Sequence, residues 1–117
     1  MYKFEKLIVW EKAMSLVKVC YKITMALPSC EKYGLASQLN RSSVSIAANI
    51  AEGSGSDSDR EFRRYLLIAR KSLFETVTLL KICEVLYSPQ GISEVLKCCN
   101  EVSMLLGGLI KKLKANS

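Results

Sequence analysis

The stretch QLNRSSVSIAANIAEG, residues 38–53, has the periodicity of an amphipathic helix and is the strongest evidence for a helical protein. Steps of three and four residues place its polar groups on one stripe and its leucine and isoleucines on the next. Small side chains lie between the two stripes and would let another backbone approach closely. We therefore expect this helix to be covered on most sides, so that its polar groups need partners.

The polar groups of this helix have two interpretations. Glu52 stands near the C-terminal end, where the helix dipole disfavours an anion, so we expect a compensating partner within the chain or across a subunit boundary. We favour a structural polar network or an oligomer interface over a ligand site. The residues concerned are Gln38, Arg41, Ser42, Ser45, Ala48, Asn49 and Glu52.

Helical periodicity recurs along the rest of the chain. It predicts helices at about 4–27, 35–52 and 59–87, and a fourth from residue 89 to the C-terminal end. Half of the 117 residues are apolar, and there are only 6 glycines and 2 prolines, which suits helices better than a sandwich or barrel. We expect an all-α fold: residues 1–117 as a single domain, an antiparallel up-down-up-down four-helix bundle that assembles as a homo-oligomer.

Four local signals set the expected helix ends. Gly53 is predicted to end the second helix in the left-handed conformation. Ser58 and Glu61 are predicted to form a capping box, and Ser88-Pro89 to begin the fourth helix. Gly107 and Gly108 indicate either a close helix crossing or fraying. The expected inner face of the first helix is Leu7, Trp10, Met14, Val17, Tyr21 and Thr24, and that of the third is Phe62, Leu66, Ala69, Leu73, Val77, Leu80 and Tyr87.

The composition argues against an enzyme. The chain has no histidine, and we find no nucleophile elbow, P-loop or dinucleotide fingerprint. The 5 cysteines are irregularly spaced without a CxxC pair, so we expect buried, inert thiols and neither a metal site nor disulfides. We expect no catalytic residues, no cofactor and no metal. No apolar run is long enough to span a bilayer and no signal peptide is evident, which predicts a cytoplasmic protein without a membrane partner.

A basic cluster is the main candidate for a binding surface. The net charge is +6, and five cations lie within a short stretch of the third helix, opposed there only by Glu61. They could follow a phosphate backbone, because arginine forks bind phosphate well. The alternative is a solvated face with local ion pairs such as Lys71 with Glu75. Tyrosines and Trp10 could stack on bases, but we assign them to the core or an interface. The candidate nucleic-acid-binding residues are Arg60, Arg63, Arg64, Arg70 and Lys71.

The segment Ser45–Gly53, SIAANIAEG, resembles the signature SI-P-ANIAEG of a bacterial four-helix-bundle family named for proteins encoded in 23S rRNA intervening sequences. That family also carries a ribosomal-protein label. The resemblance covers nearly the whole chain. Ala47 replaces the usual proline, Lys71 stands where glycine usually precedes Ser72, and Ser56 or its neighbours replace a common basic residue. The matching residues are Phe4, Leu7, Trp10, Ala13, Pro28, Glu31, Gly34, Leu35, Gln38, Arg41, Glu61, Phe62, Tyr65, Leu66, Ala69, Ser72 and Glu75.

This resemblance implies a homo-oligomer, a ring of five bundles. It also implies similarity to the accessory proteins of diversity-generating retroelements, which are basic pentamers that engage RNA and a reverse transcriptase. Our hypothesis is a non-enzymatic homo-oligomer that binds structured nucleic acid through its basic surface, and we expect RNA as that nucleic acid in preference to DNA. The alternatives are a protein-interaction scaffold, for example an accessory subunit of a reverse transcriptase, and a purely structural oligomer.

Overall fold

The computed structural model describes residues 1–116 and contains four long helices and no strand within that range. They are α1, Ile8–Met25; α2, Leu35–Ser54; α3, Asp59–Tyr87; and α4, Ile92–Asn116. Short 3-10 turns at Lys3–Lys6 and Ser29–Glu31 precede α1 and α2. The 29 residues of α3 would span about 43 Å as a straight helix, close to the 45 Å long axis of the molecule. No helix in the described part of the chain is long and apolar enough to cross a membrane.

The four helices surround one apolar core. Each packs against its neighbours in the chain, and α1 also packs against α4, an arrangement consistent with a four-helix bundle. Burial of these side chains is the main driving force for the fold. The largest fully buried apolar side chains are Leu16, Leu39, Ile46, Ile50, Leu66, Leu73, Leu80, Val102 and Leu106.

Two pairs of hydroxyl groups, which we call the polar seam, and one close contact between the backbones join α2 to α3. The hydroxyls of Ser42 and Thr76 lie 2.8 Å apart, and those of Ser45 and Ser72 lie 2.8 Å apart. Residue numbers therefore rise along α2 as they fall along α3. Near the end of α2, a Cβ atom on Gly53 would lie only 2.7 Å from the Cβ atom of Tyr65. The absent side chain of Gly53 allows the two helices to meet there.

The prediction that Gly53 ends α2 was wrong. The helix continues to Ser54, and Gly55 follows as its C-cap with a right-handed φ of −86°. Gly53 is required for close packing against α3, so its role is steric and independent of any special backbone angle. A glycine late in a helical pattern indicates a cap or a close contact equally well, and sequence alone does not separate the two.

The predicted helix ends around α3 were right at one end only. Ser58 is the N-cap, since its hydroxyl accepts a hydrogen bond from the Glu61 N–H at 3.1 Å. The capping box is incomplete, because the Glu61 carboxylate pairs with Arg64 instead. At the other end Ser88 does not begin α4 but ends α3, in the left-handed conformation at φ 44°. The chain then turns through Gly91, at φ 87°, before α4 begins at Ile92.

The inner face of α1 agrees with the predicted one only in part: Thr24 is buried, and partly buried against the core are Leu7, Trp10 and Val17. Val9, Ala13 and Leu16 are buried, whereas Met14 and Tyr21 from the predicted stripe are 45% and 42% exposed. The two stripes are adjacent on the helix, and the larger side chains of the outer one produced the apparent periodicity. Tyr87, predicted inside, is also exposed.

The predicted inner face of α3 agrees better with the structure, and α4 settles what the two adjacent glycines do. Residues from Phe62 to Leu80 on the α3 stripe are buried except Val77, which is partly buried. Gly107 and Gly108 have no other atom within 4 Å of a built Cβ position, so no helix crosses there within the described residues. Helix α4 continues through both glycines.

Candidate nucleic-acid interface

The basic cluster begins at the first turn of α3. The Ser58 cap fixes where the helix starts, and the buried Phe62 and Leu66 orient it against the core. The cations then fall on the remaining sides of the helix. Arg60, Arg64 and Lys71 are exposed, and Arg63 and Arg70 are half-buried.

Three of the five candidate cations line one open cavity. This cavity has a volume of about 460 Å³ and is lined by Ser58, Arg60, Glu61, Arg63, Arg64 and Leu67. Arg70 and Lys71 are not part of its lining. Arg70 follows Arg63 by seven residues, or about 10 Å along the helix axis. The structure thus gathers Arg60, Arg63 and Arg64 and leaves the other two cations farther along α3.

Arg64 is held by a local ion pair. Its Nη2 donates to Glu61 Oε1 at 2.6 Å and its Nε donates to the same oxygen at 3.1 Å, while its guanidinium lies 4.7 Å from the Tyr65 ring centroid. The hydrogen bond from Arg64 lowers the pKa of Glu61, and the same bond raises the pKa of Arg64. Both side chains are about half exposed, at 55% and 45%, so water screens the pair strongly. A phosphate can therefore replace Glu61 as the partner of Arg64 at little cost.

Arg63 has an unused donor. Its Nε is buried and has no hydrogen-bond acceptor among the described residues. Lys71 likewise has no carboxylate within ion-pair distance in that part of the chain, so the predicted Lys71–Glu75 pair is not formed. Recruiting either cation to a ligand breaks no ion pair or hydrogen bond to the protein.

The polar stripe of α2 divides into an inner and an outer set. Ser42 is 3% exposed and lies in the α2–α3 seam with Thr76, and Ser45 pairs with Ser72. Asn49 Nδ2 donates to the backbone oxygen of Ser45 at 2.8 Å and to its hydroxyl at 3.1 Å. These three residues form a polar network within the chain.

The outer set of the stripe is exposed. It consists of Gln38, Arg41, Ala48 and Glu52, and the three polar side chains among them make no hydrogen bond or ion pair within residues 1–116. The partner expected for Glu52 is therefore not supplied by the described part of this chain.

The cysteines do not form a binding site. Cys20 and Cys99 are buried, and desolvation raises the pKa of each thiol to about 12. Cys30 is exposed, so the prediction of buried thiols was wrong for that residue. Among the described residues, no three Cys, Asp or Glu side chains gather as a metal ion would need.

Comparisons with known proteins identify the family. A crystal structure of a protein of unknown function from the S23 ribosomal protein family of Bacteroides thetaiotaomicron VPI-5482 superposes with a TM-score of 0.81. It is 24% identical, and the match covers 89% of this chain and 99% of that one, which shows a shared fold. Comparison with curated proteins gives no match. The sequence matches the 23S rRNA-intervening sequence protein family over residues 5–108. The chain therefore belongs to that family, as the signature at 45–53 predicted.

Proposed function

We propose that this protein binds structured RNA through phosphate contacts on the first turns of α3. The observation that carries the proposal is the cavity lined by Arg60, Arg63 and Arg64, in which Glu61 is the one acidic side chain among the described lining residues. Arginine donates two parallel hydrogen bonds to a phosphate, and contacts of this kind supply most sequence-independent affinity for nucleic acids. Arg70 and Lys71 would extend the track along the helix.

The arrangement of the helices supports a larger basic surface. The α2–α3 hydrogen bonds run in opposite directions along the two helices, and every loop is short, so we infer an antiparallel up-down-up-down bundle forming one domain. Phe74 of α3 and Asn100 of α4 line a common cavity. In an antiparallel pair, the C-terminal end of α4 then comes beside the start of α3. The exposed Lys111 and Lys112 would join the arginines there.

We also propose self-association, as a ring of five, following the family resemblance. Two surface features support it. Glu52 and Gln38 have no partner within the described chain, and beside Glu52 Ala48 leaves room for another backbone. On α3, Val85 and Leu86 are exposed by 82% and 58% and line one shallow apolar cavity with Ile82, and an exposed apolar patch is typical of a surface that contacts another protein. We further propose that the protein is not an enzyme and acts in the cytoplasm.

A charge-reversal experiment tests the RNA proposal. Replacing Arg63, Arg64 and Arg70 with Glu should abolish binding to a structured RNA while the circular dichroism spectrum keeps its helical form. The matched control replaces three exposed lysines outside the cluster with Glu, so that the net charge changes by the same amount. These lysines are Lys6, Lys18 and Lys97. Retained affinity in the arginine variant, or an equal loss in the control, would refute the assignment to this surface.

The second candidate is a protein-interaction scaffold, for example a partner of a reverse transcriptase. The exposed apolar residues of α3 favour it, because Thr78, Lys81, Ile82, Val85 and Leu86 line a shallow apolar cavity of about 300 Å³. Native mass spectrometry and affinity purification under nuclease treatment separate the two candidates. A protein partner that remains after nuclease treatment and is lost in Val85→Glu supports the scaffold.

A further inference from the structure

A second groove lies between the end of α1 and the start of α2. Two adjoining cavities, of about 400 and 570 Å³, share Tyr21, Lys32 and Asn40 in their linings. Tyr33 and Arg41 line the larger one. We call this surface the tyrosine groove and define it by those five residues. Tyr87, at the far end of α3 from Arg60, hydrogen-bonds Glu31 in the same α1–α2 connection. The groove and the arginine cavity are thus separate surfaces at opposite ends of α3.

The tyrosine groove exposes aromatic rings that the core does not use. Tyr33 is 88% exposed and Tyr21 is 42% exposed, and the Lys32 ammonium lies 5.5 Å from the centroid of the Tyr33 ring. An exposed ring beside a cation offers a face on which a planar group can stack. At 88% exposure Tyr33 contributes little to the core, so the faces of its ring are accessible to a ligand.

The charge of the groove selects the kind of ligand. Its lining contains Lys32 and Arg41, and no Asp or Glu among the described residues contributes to either cavity. Asn40 lines both cavities, and a hydrogen bond of 3.0 Å between its side chain and the Thr24 hydroxyl fixes one end of the amide. The other end remains for a ligand. The groove therefore suits a planar, anionic molecule whose edge carries hydrogen-bonding groups.

We propose that the tyrosine groove binds an unpaired nucleotide of an RNA strand. The base stacks on Tyr33, its edge meets the Asn40 amide, and the adjoining phosphates contact Arg41 and Lys32. A base inside a duplex cannot use this site, since both of its faces are covered by the stacked neighbouring pairs. This inference rests on the proposed RNA function for the identity of the ligand, but it uses none of the residues of the arginine cavity.

Fluorescence anisotropy with a labelled single-stranded RNA octamer and a long blunt duplex, whose stacked internal pairs far outnumber its two terminal pairs, tests the proposal. Tyr33→Ala should weaken single-strand binding by about 10-fold, the range seen for one stacked base, and leave duplex binding unchanged. Tyr33→Phe should retain binding because it keeps the ring. Tyr2→Ala is the matched control, since Tyr2 is 72% exposed, stacks on Phe4 and lies outside the groove. Arg41→Gln should also weaken binding of the single strand and leave duplex binding unchanged.

The outcomes separate this inference from the proposed function. Unchanged single-strand affinity in Tyr33→Ala, or equal losses for single strand and duplex, would overturn the groove even if the arginine variant loses structured RNA. A selective loss in Tyr33→Ala would support the groove even if the arginine variant binds normally. A change of oligomeric state in Tyr33→Ala would show that the groove is a contact between copies, and would also overturn the proposal.

Discussion

Replacing Gly53 with Ala tests whether α2 and α3 meet as closely as the structure indicates. A methyl group there would lie 2.7 Å from Tyr65 Cβ, 2.9 Å from Phe62 Cδ1 and 3.2 Å from the Phe62 carbonyl oxygen. Real Cβ atoms do not approach a neighbouring Cβ so closely, so the helices must separate. Neither Tyr65 Cβ nor the carbonyl can rotate away, because both are fixed to the backbone of α3.

Two opposing effects set the magnitude. Ala is favoured over Gly inside a helix by about 1 kcal/mol, and by less at Gly53 because α2 ends one residue later. Overpacking of a close contact costs about 1–3 kcal/mol. We expect the steric term to dominate, so that Gly53→Ala lowers the free energy of unfolding by about 1–2 kcal/mol. At about 4 °C per kcal/mol, the melting temperature should fall by about 4–8 °C.

Gly108→Ala supplies the matched control. Gly108 also lies in a helix, but a built Cβ atom has nothing within 4 Å. The same substitution there should therefore raise stability by about 0.5–1 kcal/mol through helix propensity alone. Urea denaturation followed by circular dichroism measures both variants. If Gly53→Ala is also stabilising, the close approach of α2 and α3 is wrong.

Three further predictions concern the polar seam, the thiols and one tyrosine. Thr76→Val removes the buried hydroxyl contact with Ser42 and should lower the free energy of unfolding by about 1 kcal/mol in urea denaturation. The double variant with Ser42→Ala should lose less stability than the sum of the two single variants, and full additivity would contradict a direct bond. A disulfide reagent at pH 8 should label Cys30 first, because burial raises the pKa of Cys20 and Cys99 to about 12; rapid labelling of either buried thiol in the folded protein would contradict their burial. The hydrogen bond to Glu31 raises the pKa of Tyr87 from 10.0 to about 12. This bond therefore stabilises the fold fully below pH 10, and its contribution is lost as the pH rises toward 12. In a titration followed by absorbance at 295 nm, phenolate should accordingly form at lower pH in Glu31→Gln than in the wild type. Superimposable titration curves for the two proteins would refute the bond.

The all-helical fold was predictable because its evidence is distributed over many residues. The stripes of α2, α3 and α4 repeat over several turns, so no single residue decides them. Caps depend on one or two residues, and there the sequence was ambiguous. Ser88 followed by Pro89 fits an N-cap, yet Ser88 adopts the left-handed conformation that ends α3. Both roles suit a small polar residue beside a proline.

The candidate site was only partly predictable. Five cations could be named from their spacing, but their grouping around a cavity depends on side-chain directions, and only Arg60, Arg63 and Arg64 converge. The sequence did not point to the tyrosine groove, because the tyrosines were assigned together to the core or an interface. Tyr33 lies in the connection before α2, among the polar residues of SCEKYG, and that setting was the available signal for exposure.

The most direct test of the central claim is the affinity of the purified protein for a structured RNA across a salt series. Phosphate contacts by the basic cluster predict a linear fall of log affinity with log salt, with a slope of up to about −4.5 for five cations. Replacing Arg64 alone with Gln should make the slope less steep by about 1, because one phosphate contact is lost. No binding at low salt, or a slope unchanged by that replacement, would contradict the claim and leave the protein scaffold as the better account.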